Sequence, residues 1–474
     1  MSNLVNILAL DDKGQSNLQL ILPLLLILVI LVIFAFMIPS LSTMKMIAMV
    51  FGLCIFIIAF ASTEIALYIL IFSMLLSPEF VVGTTGGSSL SRGVTIRLDD
   101  LVLFIIGISW LARMAIKKEL GLFLRTPLNK PIAYYILVCL ISTLFGSVFG
   151  DVQLKTGFFY VLKYFEYMII FFMVVNHLED KKQVKNFLWA MLITCAIVSV
   201  IGIYQIPSGG RVTAPFEGAA GEPNTFGGYL VLMISVVSGL FLTSNSFKEQ
   251  IIYGGLVFLF ALPFFYTQSR SSYLAIVPAM ITFLWLAKKR NLVFASLALV
   301  VIAFTVFTPR VTQDRITYTF TQGRDRTDVL EIGGVKLDTS TTARVRSWQD
   351  AAKDWIKHPF LGHGVTGYRF VDAQYMRIIT ETGLFGLFTF ITLTVMIFRS
   401  SLDIFKDSND EYQKGISMGF LAGFIGLLTH AIGANTFIIV RIMEPFWFLT
   451  AMVLMYPTLK EEAPEPDKKR LIPT

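Results

Sequence analysis

Two short segments of the chain place an arginine beside a predicted helix start. Arg211 precedes the sequence GEPNTF, in which Asn224 follows a proline and is a natural N-cap residue. Arg270 stands between serines in TQSRSSYL, directly before an apolar run. A helix N-terminus carries partial positive charge, and a guanidinium binds phosphate oxygens bidentately. The two segments therefore predict an anion site.

Two further segments lie between residues 341 and 386. Arg344 and Arg346 belong to TTARVRSWQD, and Asp372 lies near the start of VDAQYMRIITETGLFG, where another apolar helix is predicted to begin. Three helix starts and several arginines that converge on one face would make a strong anion site. A diphosphate needs several such donors. A lipid substrate linked through a diphosphate fits this set of residues.

Each of these residues also has a structural interpretation. Arg346 and Asp350 have the i, i+4 spacing of a surface ion pair, and Arg344 could serve the surface of the same helix. Arg270 could anchor the end of a membrane span, as arginines there often do. Asp372 could be only an N-cap. The sequence leaves both interpretations open.

One pair of charged residues lies inside an apolar run. Lys163 and Glu166 are three positions apart in FFYVLKYFEYMIIFF, so they share a helical face. A buried pair is costly unless it has a function or locks the structure. We expect a structural lock, with a transport path as the alternative.

The histidines and cysteines predict no metal centre. None of them has a second His or Cys at the spacing of a zinc motif, and the three cysteines all fall in apolar runs. We therefore expect neither a metal nor a cofactor. The residues concerned are His177, His358, His363, His430, Cys54, Cys139 and Cys195.

The composition assigns all these residues to a membrane protein. Of 474 residues 55% are hydrophobic and 15% are charged, and the mean hydropathy is +0.70. Soluble domains have about 25% charged residues. This balance excludes a soluble enzyme with a tail anchor, a repeat solenoid and a nucleic-acid binder, despite a net charge of +7.

Fourteen apolar runs predict an all-α polytopic protein. The predicted number of transmembrane helices is 12 to 14, because the second and third runs are short and could form one kinked element. Eleven spans are expected in residues 1–308, a long loop in 309–375, three spans in 376–456 and a disordered tail in 457–474. The runs lie near 20–38, 46–60, 64–78, 101–116, 131–149, 157–176, 186–205, 225–243, 250–266, 272–287, 291–308, 376–398, 415–431 and 436–456.

Charge in the loops predicts the orientation. Alternate loops are basic, and the positive-inside rule assigns them and both termini to the cytoplasm. The stretch 309–371 then faces outward, since loops of this length translocate regardless of their charge. Within it, an amphipathic helix is predicted over 342–357, with one apolar stripe formed by Val345, Trp348, Ala352, Trp355 and Ile356.

Together these motifs resemble the O-antigen ligase and O-antigen polymerase superfamily of bacterial membrane glycosyltransferases, which have a GT-C-type helical fold. The similarity covers roughly residues 95–450. Four motifs carry it: Arg211 with PNTF, SRSS, RSWQDAAKDWIKHPFLGHGVTGY and YMRIITETGLFG.

The resemblance implies transfer of a glycan from an undecaprenyl-diphosphate carrier, without metal, at the outer face of the bacterial inner membrane. Arg211 and Arg270 would hold the diphosphate beside Asn224, and Arg344 and Arg346 would help to bind it or the sugar. The acceptor would be a glycan or a lipid-linked glycan. Polysaccharide-assembly proteins are the expected partners, and nucleic acid is not one.

The chain departs from the family at one position. Ligases of this family carry a His-Asn pair nine residues before the Glu of the ETG motif, where this chain has Asp372 and Ala373. A carboxylate can take a proton from a sugar hydroxyl as an imidazole does, so Asp372 is the predicted general base. The departure favours a surface-polysaccharide polymerase over a ligase. A transporter or flippase, or a non-catalytic subunit of an export system, is the alternative.

Overall fold

The computed structural model describes residues 43–83, 94–116, 124–216, 221–291, 293–294, 329–332, 335–336 and 339–461. Four predicted segments lie outside the described residues: the first span near 20–38, most of the run 291–308, the first part of the long loop and the tail after residue 461.

The described part of the chain is built from α-helices, as the sequence predicts. They are α1 (Thr43–Ala61), α2 (Thr63–Leu76), α3 (Leu98–Ile116), α4 (Asn129–Phe149), α5 (Leu154–His177), α6 (Lys181–Gln205), α7 (Pro223–Thr243), α8 (Phe247–Tyr266), α9 (Arg270–Leu286), α10 (Thr339–Trp355), α11 (Gln374–Asp407), α12 (Glu411–His430) and α13 (Val440–Met455).

Two short antiparallel strand pairs accompany the helices. β1 (Glu79–Gly83) pairs with β2 (Val94–Arg97), and β3 (Glu331–Ile332) pairs with β4 (Val335–Lys336). The first pair ends directly at α3 and the second precedes α10. They are connectors between helices.

Several helices have the length and composition of membrane spans. Within the described residues α4, α5, α6, α7, α8 and α11 are long and apolar enough to cross a bilayer, and α2 and α9 are shorter apolar helices. The chain is therefore an all-α polytopic membrane protein. The prediction of 12 to 14 spans extends beyond the described residues.

The chain divides into two compact units. One comprises residues 1–67 and 101–124, where Ser109 Oγ donates to the Phe56 carbonyl at 3.3 Å and Arg113 to Thr63 Oγ1 at 3.2 Å. The other comprises residues 68–100 and 125–474 and contains every residue of the candidate site.

Small residues let α7 and α12 pack backbone to backbone in the larger unit. A methyl group added at Gly239 would collide with the backbone of Gly415 and Gly419, and one at Gly419 with the backbone of Val236. Apolar helices associate through such close van der Waals contact. The two helices run antiparallel, so α7 begins where α12 ends.

The buried charges of α5 pair differently from the prediction. Lys163 Nζ lies 2.9 Å from Asp100 Oδ2, which also accepts the Arg97 backbone N–H at 2.9 Å. Arg97 in turn forms an ion pair with the fully buried Asp99. The predicted lock is thus a pair of Lys163 with Asp100 rather than with Glu166, because the first turn of α3 brings a carboxylate from 63 residues away.

Candidate functional site

An ion pair joins α10 to the start of α11. Arg344 NH2 lies 3.2 Å from Asp372 Oδ2, and the two side chains are 29% and 36% exposed. α11 begins at Gln374, and its capping residue is Ala373. Asp372 is therefore not an N-cap, and that interpretation of the sequence is wrong. Its carboxylate is partly open to solvent and faces a guanidinium.

The backbone around Asp372 is fixed on both sides. Asn435 Nδ2 donates to the Val371 carbonyl at 2.9 Å, and the Gln374 N–H donates to the Ala431 carbonyl at 3.0 Å. Gln374 also accepts the Phe437 N–H at 3.0 Å through its side chain. A general base acts efficiently only where its position is fixed. The segment 431–437 supplies that fixation.

Apolar packing holds α10 against this point. Ala351, Val371 and Ala373 form a buried cluster onto which Trp348 and Tyr368 pack. The helix lies close to its predicted range of 342–357, but Ala352 and Ile356 of the predicted apolar stripe are exposed and Ala351 is buried instead. The helix ends at Trp355.

The two other arginines of this region lie at the surface. Arg346 is exposed on α10. Asp350 forms an ion pair with Arg369 at 3.2 Å, and both of these side chains are more than half exposed. Exposed pairs contribute little to stability. This pair links α10 to the segment that leads to Asp372.

The starts of α7 and α9 are joined by hydrogen bonds. Ser269 Oγ donates to Asn224 Oδ1 at 2.8 Å and accepts the Ser272 N–H at 3.3 Å, which caps α9. Arg270 is the first residue of α9, as predicted from the sequence. The predicted N-cap role of Asn224 is wrong. α7 begins at Pro223 with Glu222 as its capping residue, because proline is pre-organised for the first helical position.

Arg211 lies against the same helix start. Its Nε donates to the Thr267 carbonyl at 3.1 Å and its NH2 to the Gln268 carbonyl at 3.1 Å, immediately before α9. The Arg211 residue is nevertheless exposed. The structure thus brings Arg211, Asn224 and Arg270 together at one place.

A buried arginine that the sequence analysis did not single out fixes the segment after Arg211. Arg441 is 1% exposed and donates to the carbonyls of Pro215 at 2.7 Å, Ser77 at 3.1 Å and Phe216 at 3.4 Å. An arginine within the apolar run 436–456 is the signal that could have identified it.

The turn after α12 connects the two groups of residues. On one side Ala431 and Asn435 bond to the backbone around Asp372. On the other, Gly433 lies so close to Ser271 that an added methyl group would collide with its hydroxyl. Arg211, Arg270, Arg344 and Asp372 therefore all lie at the end of the bundle where α7, α9 and α11 begin.

The glycine of the ETG motif opens α11 to admit a neighbouring segment. Gly383 has φ 65°, a left-handed conformation inside the helix. Beside it the Leu384 N–H donates to the Pro359 carbonyl at 2.9 Å, and the His363 N–H donates to the Thr380 carbonyl at 2.9 Å. The HPFLGHG segment, residues 358–364, is thus bonded along the interrupted turn of α11.

The glutamate of the same motif completes this attachment. Glu381 Oε1 accepts Arg377 Nε at 3.0 Å and the Thr366 N–H at 3.2 Å, and its side chain is 6% exposed. Arg377 was not singled out in the sequence, although its i, i+4 spacing to Glu381 is a usable signal. Glu381 is engaged in structure and is a poor alternative to Asp372 as a base.

Tyr368 connects the HPFLGHG segment to α10. Burial raises the pKa of Tyr368, and the hydrogen bond from its hydroxyl to Asp354 Oδ2, at 2.8 Å, acts in the same direction. Hydrogen bonds from Lys357 and Tyr368 hold the pKa of Asp354 below its usual value. The end of α10 is therefore fixed by a carboxylate that remains charged.

One group among the described residues could hold a metal ion. Asp151, His358 and His363 each offer a ligand atom within 4.8 Å of the others. The expectation of no metal site rested on spacing along the chain. Folding brings Asp151 to the two histidines from 212 residues before His363.

Comparison with protein families gives a match in the middle of the chain. Residues 254–391 match the family described as O-antigen ligase. The predicted resemblance is confirmed over these residues, a shorter stretch than the predicted 95–450. The matched region contains Arg270, Arg344, Arg346 and Asp372, whereas Arg211 and Asn224 precede it. No curated protein matches the chain. The match supports a ligase or polymerase type of function.

Proposed function

We propose that the protein transfers or polymerises a glycan from an undecaprenyl-diphosphate carrier at the periplasmic face of the inner membrane. The observation that carries the proposal is the Arg344–Asp372 pair, which lies at the same bundle end as Arg211 and Arg270. A base and several phosphate-binding cations are what such a transfer requires. Under this proposal both termini are cytoplasmic.

The proposed step is a displacement at the anomeric carbon of the donor sugar. The bond from that carbon to the diphosphate oxygen breaks, and a bond to the acceptor oxygen forms. Asp372 takes the proton of the acceptor hydroxyl, while the arginines and the helix starts stabilise the negative charge that grows on the diphosphate. The chemistry proposed at Asp372 needs no metal ion, because guanidinium groups neutralise the leaving group.

Arg344 has two roles in this scheme. In the structure its guanidinium lies 3.2 Å from Asp372 Oδ2 and so occupies the carboxylate oxygen that would approach an acceptor hydroxyl. A bound diphosphate competes for the same guanidinium. Donor binding would therefore draw Arg344 away and leave Asp372 free to accept a proton. The catalytic base would be released only when a donor is present, which limits wasteful hydrolysis.

A polymerase is favoured over a ligase by the residues of the site. Where ligases carry His-Asn, this chain has Asp372 and Ala373, and the Ala373 side chain is buried in the apolar cluster. The acceptor is then a glycan or a lipid-linked glycan. Lys163, which the transport alternative would place on a path, forms an ion pair with Asp100 at 2.9 Å.

Replacement of Asp372 by asparagine tests the proposal. The purified full chain is reconstituted in proteoliposomes with a lipid-linked glycan donor, and product formation and donor retention are measured. Asp372→Asn should slow transfer about 100- to 10,000-fold and still retain the donor. Asp350→Asn, which alters an exposed acidic residue of α10, is the matched control and should transfer normally. Normal turnover of Asp372→Asn would refute the assignment of the base, and no transfer by the unaltered protein would favour a non-catalytic subunit.

A further inference from the structure

We propose that Asp151, His358 and His363 bind a zinc ion that fastens the HPFLGHG segment to the loop between α4 and α5. This site is separate from the proposed transfer chemistry, since none of its ligands belongs to the arginine and Asp372 groups. It is built from two distant parts of the chain.

The distances suit one small ion. Asp151 Oδ2 lies 3.0 Å from His363 Nδ1 and 4.0 Å from His358 Nε2. Two ligands of a tetrahedral zinc ion lie about 3.3 Å apart, given metal–ligand distances of about 2.0–2.1 Å. The measured separations lie on either side of that value. All three ligand atoms lie within 4.8 Å of one another, so the His358 imidazole would have to move closer to both of its partners when the ion binds.

The nature of the ligands selects the metal. Two imidazoles and one carboxylate are ligands that zinc accepts, whereas magnesium and calcium prefer shells made of oxygen. Three protein ligands leave one position for water. The His363 side chain is 12% exposed, and its Nε2 is buried without a partner among the described residues. Nδ1 is therefore the nitrogen that His363 presents to Asp151.

Both sides of the site are rigid before any ion binds. The Asp151 N–H donates to the Gly146 carbonyl at 2.9 Å, after Gly150 ends α4 with φ 83°. His363 is held by its N–H on Thr380, and its ring stacks on Tyr368 with centroids 5.5 Å apart. The ring of His358 lies at 4.7 Å from that of His363. Little entropy remains to be lost when an ion binds.

The chain around the site is packed closely. A methyl group at Gly146 would collide with the His363 carbonyl, and one at Gly364 with the side chain of Val152. The α4–α5 loop and the HPFLGHG segment are therefore already in contact beside the proposed ligands. An ion at this point would act as a crosslink between them. Since Tyr368 packs on the cluster below Asp372, the crosslink would steady the transfer site indirectly.

A simpler interpretation is a hydrogen bond between Asp151 and His363 that needs no ion. It accounts for the 3.0 Å separation but not for the approach of His358 to the same oxygen. The two interpretations differ in zinc stoichiometry, because only the proposed zinc site would bind one equivalent of zinc per chain.

Zinc content of the purified full chain decides between them. The detergent-purified protein is incubated with zinc chloride, desalted and analysed by elemental mass spectrometry. The unaltered protein should retain one zinc per chain. His363→Gln and Asp151→Asn should bind at least about 100-fold more weakly, because loss of an outer-shell partner alone costs 10- to 100-fold. His177→Gln, which changes a histidine at the end of α5, is the matched control and should retain zinc.

A second measurement uses the unaltered protein, so it does not depend on whether the variants fold. The unaltered protein loaded with Co²⁺ should show the visible absorption bands of a four-coordinate cobalt–histidine site, and added zinc, but not magnesium, should abolish them. Absence of these bands together with no retained zinc would overturn the proposal. Retention of zinc by the triple variant Asp151→Asn, His358→Gln, His363→Gln would also overturn it. Neither measurement involves glycan transfer, so the two proposals fail independently.

Discussion

The backbone N–H of Thr366 donates to the carboxylate of Glu381 at 3.2 Å, and Thr366 itself has φ 69°. A left-handed conformation is strained for a β-branched residue and persists only where its surroundings impose it. Glu381 provides that constraint while it also pairs with Arg377. The carboxylate of the ETG motif therefore determines the path of the chain between α10 and α11.

Removal of the Glu381 carboxylate should destabilise the fold strongly. Glu381→Ala leaves Arg377 buried without its partner, and such a loss costs about 3–5 kcal/mol. Glu381→Gln keeps an oxygen for Thr366 and should cost less. Thermal unfolding in detergent measures both variants against Glu411→Ala, an exposed residue at the start of α12. Equal stability of Glu381→Ala and the control would show that the buried pair has no structural role.

Gly383→Ala should also destabilise the protein. The left-handed conformation disfavours a side chain, and a Cβ at this position would collide with the backbone of Phe360. The expected loss is about 1–3 kcal/mol for the strained conformation, with further loss from the collision. Gly255→Ala in α8 is the matched control, because nothing lies within 4 Å of the added Cβ. Its unfolding temperature should stay level or rise, since alanine favours a helix. A Gly383→Ala variant as stable as this control would contradict the observed conformation.

Arg211 and Arg270 should matter for donor binding. Arg211→Lys and Arg270→Lys keep a charge but lose the planar fork of donors. A charge-assisted hydrogen bond is worth about 1.5–3 kcal/mol, so the Kd for a diphosphate-linked donor should rise about 10- to 100-fold. Arg399→Lys, an exposed arginine near the other end of α11, serves as control. If both variants bind the donor as tightly as the control does, the diphosphate site lies elsewhere.

The orientation in the membrane can be tested by thiol labelling. In a chain whose three native cysteines are replaced by serine, Gln349→Cys on α10 should react with an impermeant reagent from outside the inner membrane. Asn409→Cys, between α11 and α12, should react only after the membrane is opened. Both positions are exposed, so accessibility differs through the side of the membrane alone. Reaction of Asn409→Cys alone from outside would reverse the predicted topology.

Local sequence predicted the helices and their starts better than it predicted the contacts between them. Arg270 begins α9 as its serine neighbours indicate, and α10 lies close to its predicted range. The N-cap roles of Asn224 and Asp372 were wrong by one or two residues, because Pro223 and Ala373 occupy the decisive positions. Capping residues are read from short windows, in which neighbours one position apart compete.

Contacts between residues far apart in the sequence could not be predicted from spacing along the chain. Lys163 meets Asp100 at the start of α3, and Asp151 meets two histidines through the turn after α4. Such pairs depend on which helices are neighbours, and the apolar runs of a membrane protein resemble one another too closely to show this. The sequence indicated which arginine and carboxylate residues could form a site. Their proximity at one end of the bundle became clear only from the fold.

The close seam between α7 and α12 has a mechanical consequence. Because Gly239, Gly415 and Gly419 bring the two backbones into contact, separation of these helices would lose close van der Waals packing along the seam. α10 is held by a small apolar cluster and by ion pairs that are open to water. Under the proposed function, entry of a bulky lipid-linked glycan to Asp372 should therefore cost less energy by displacement of α10 than by separation of α7 from α12.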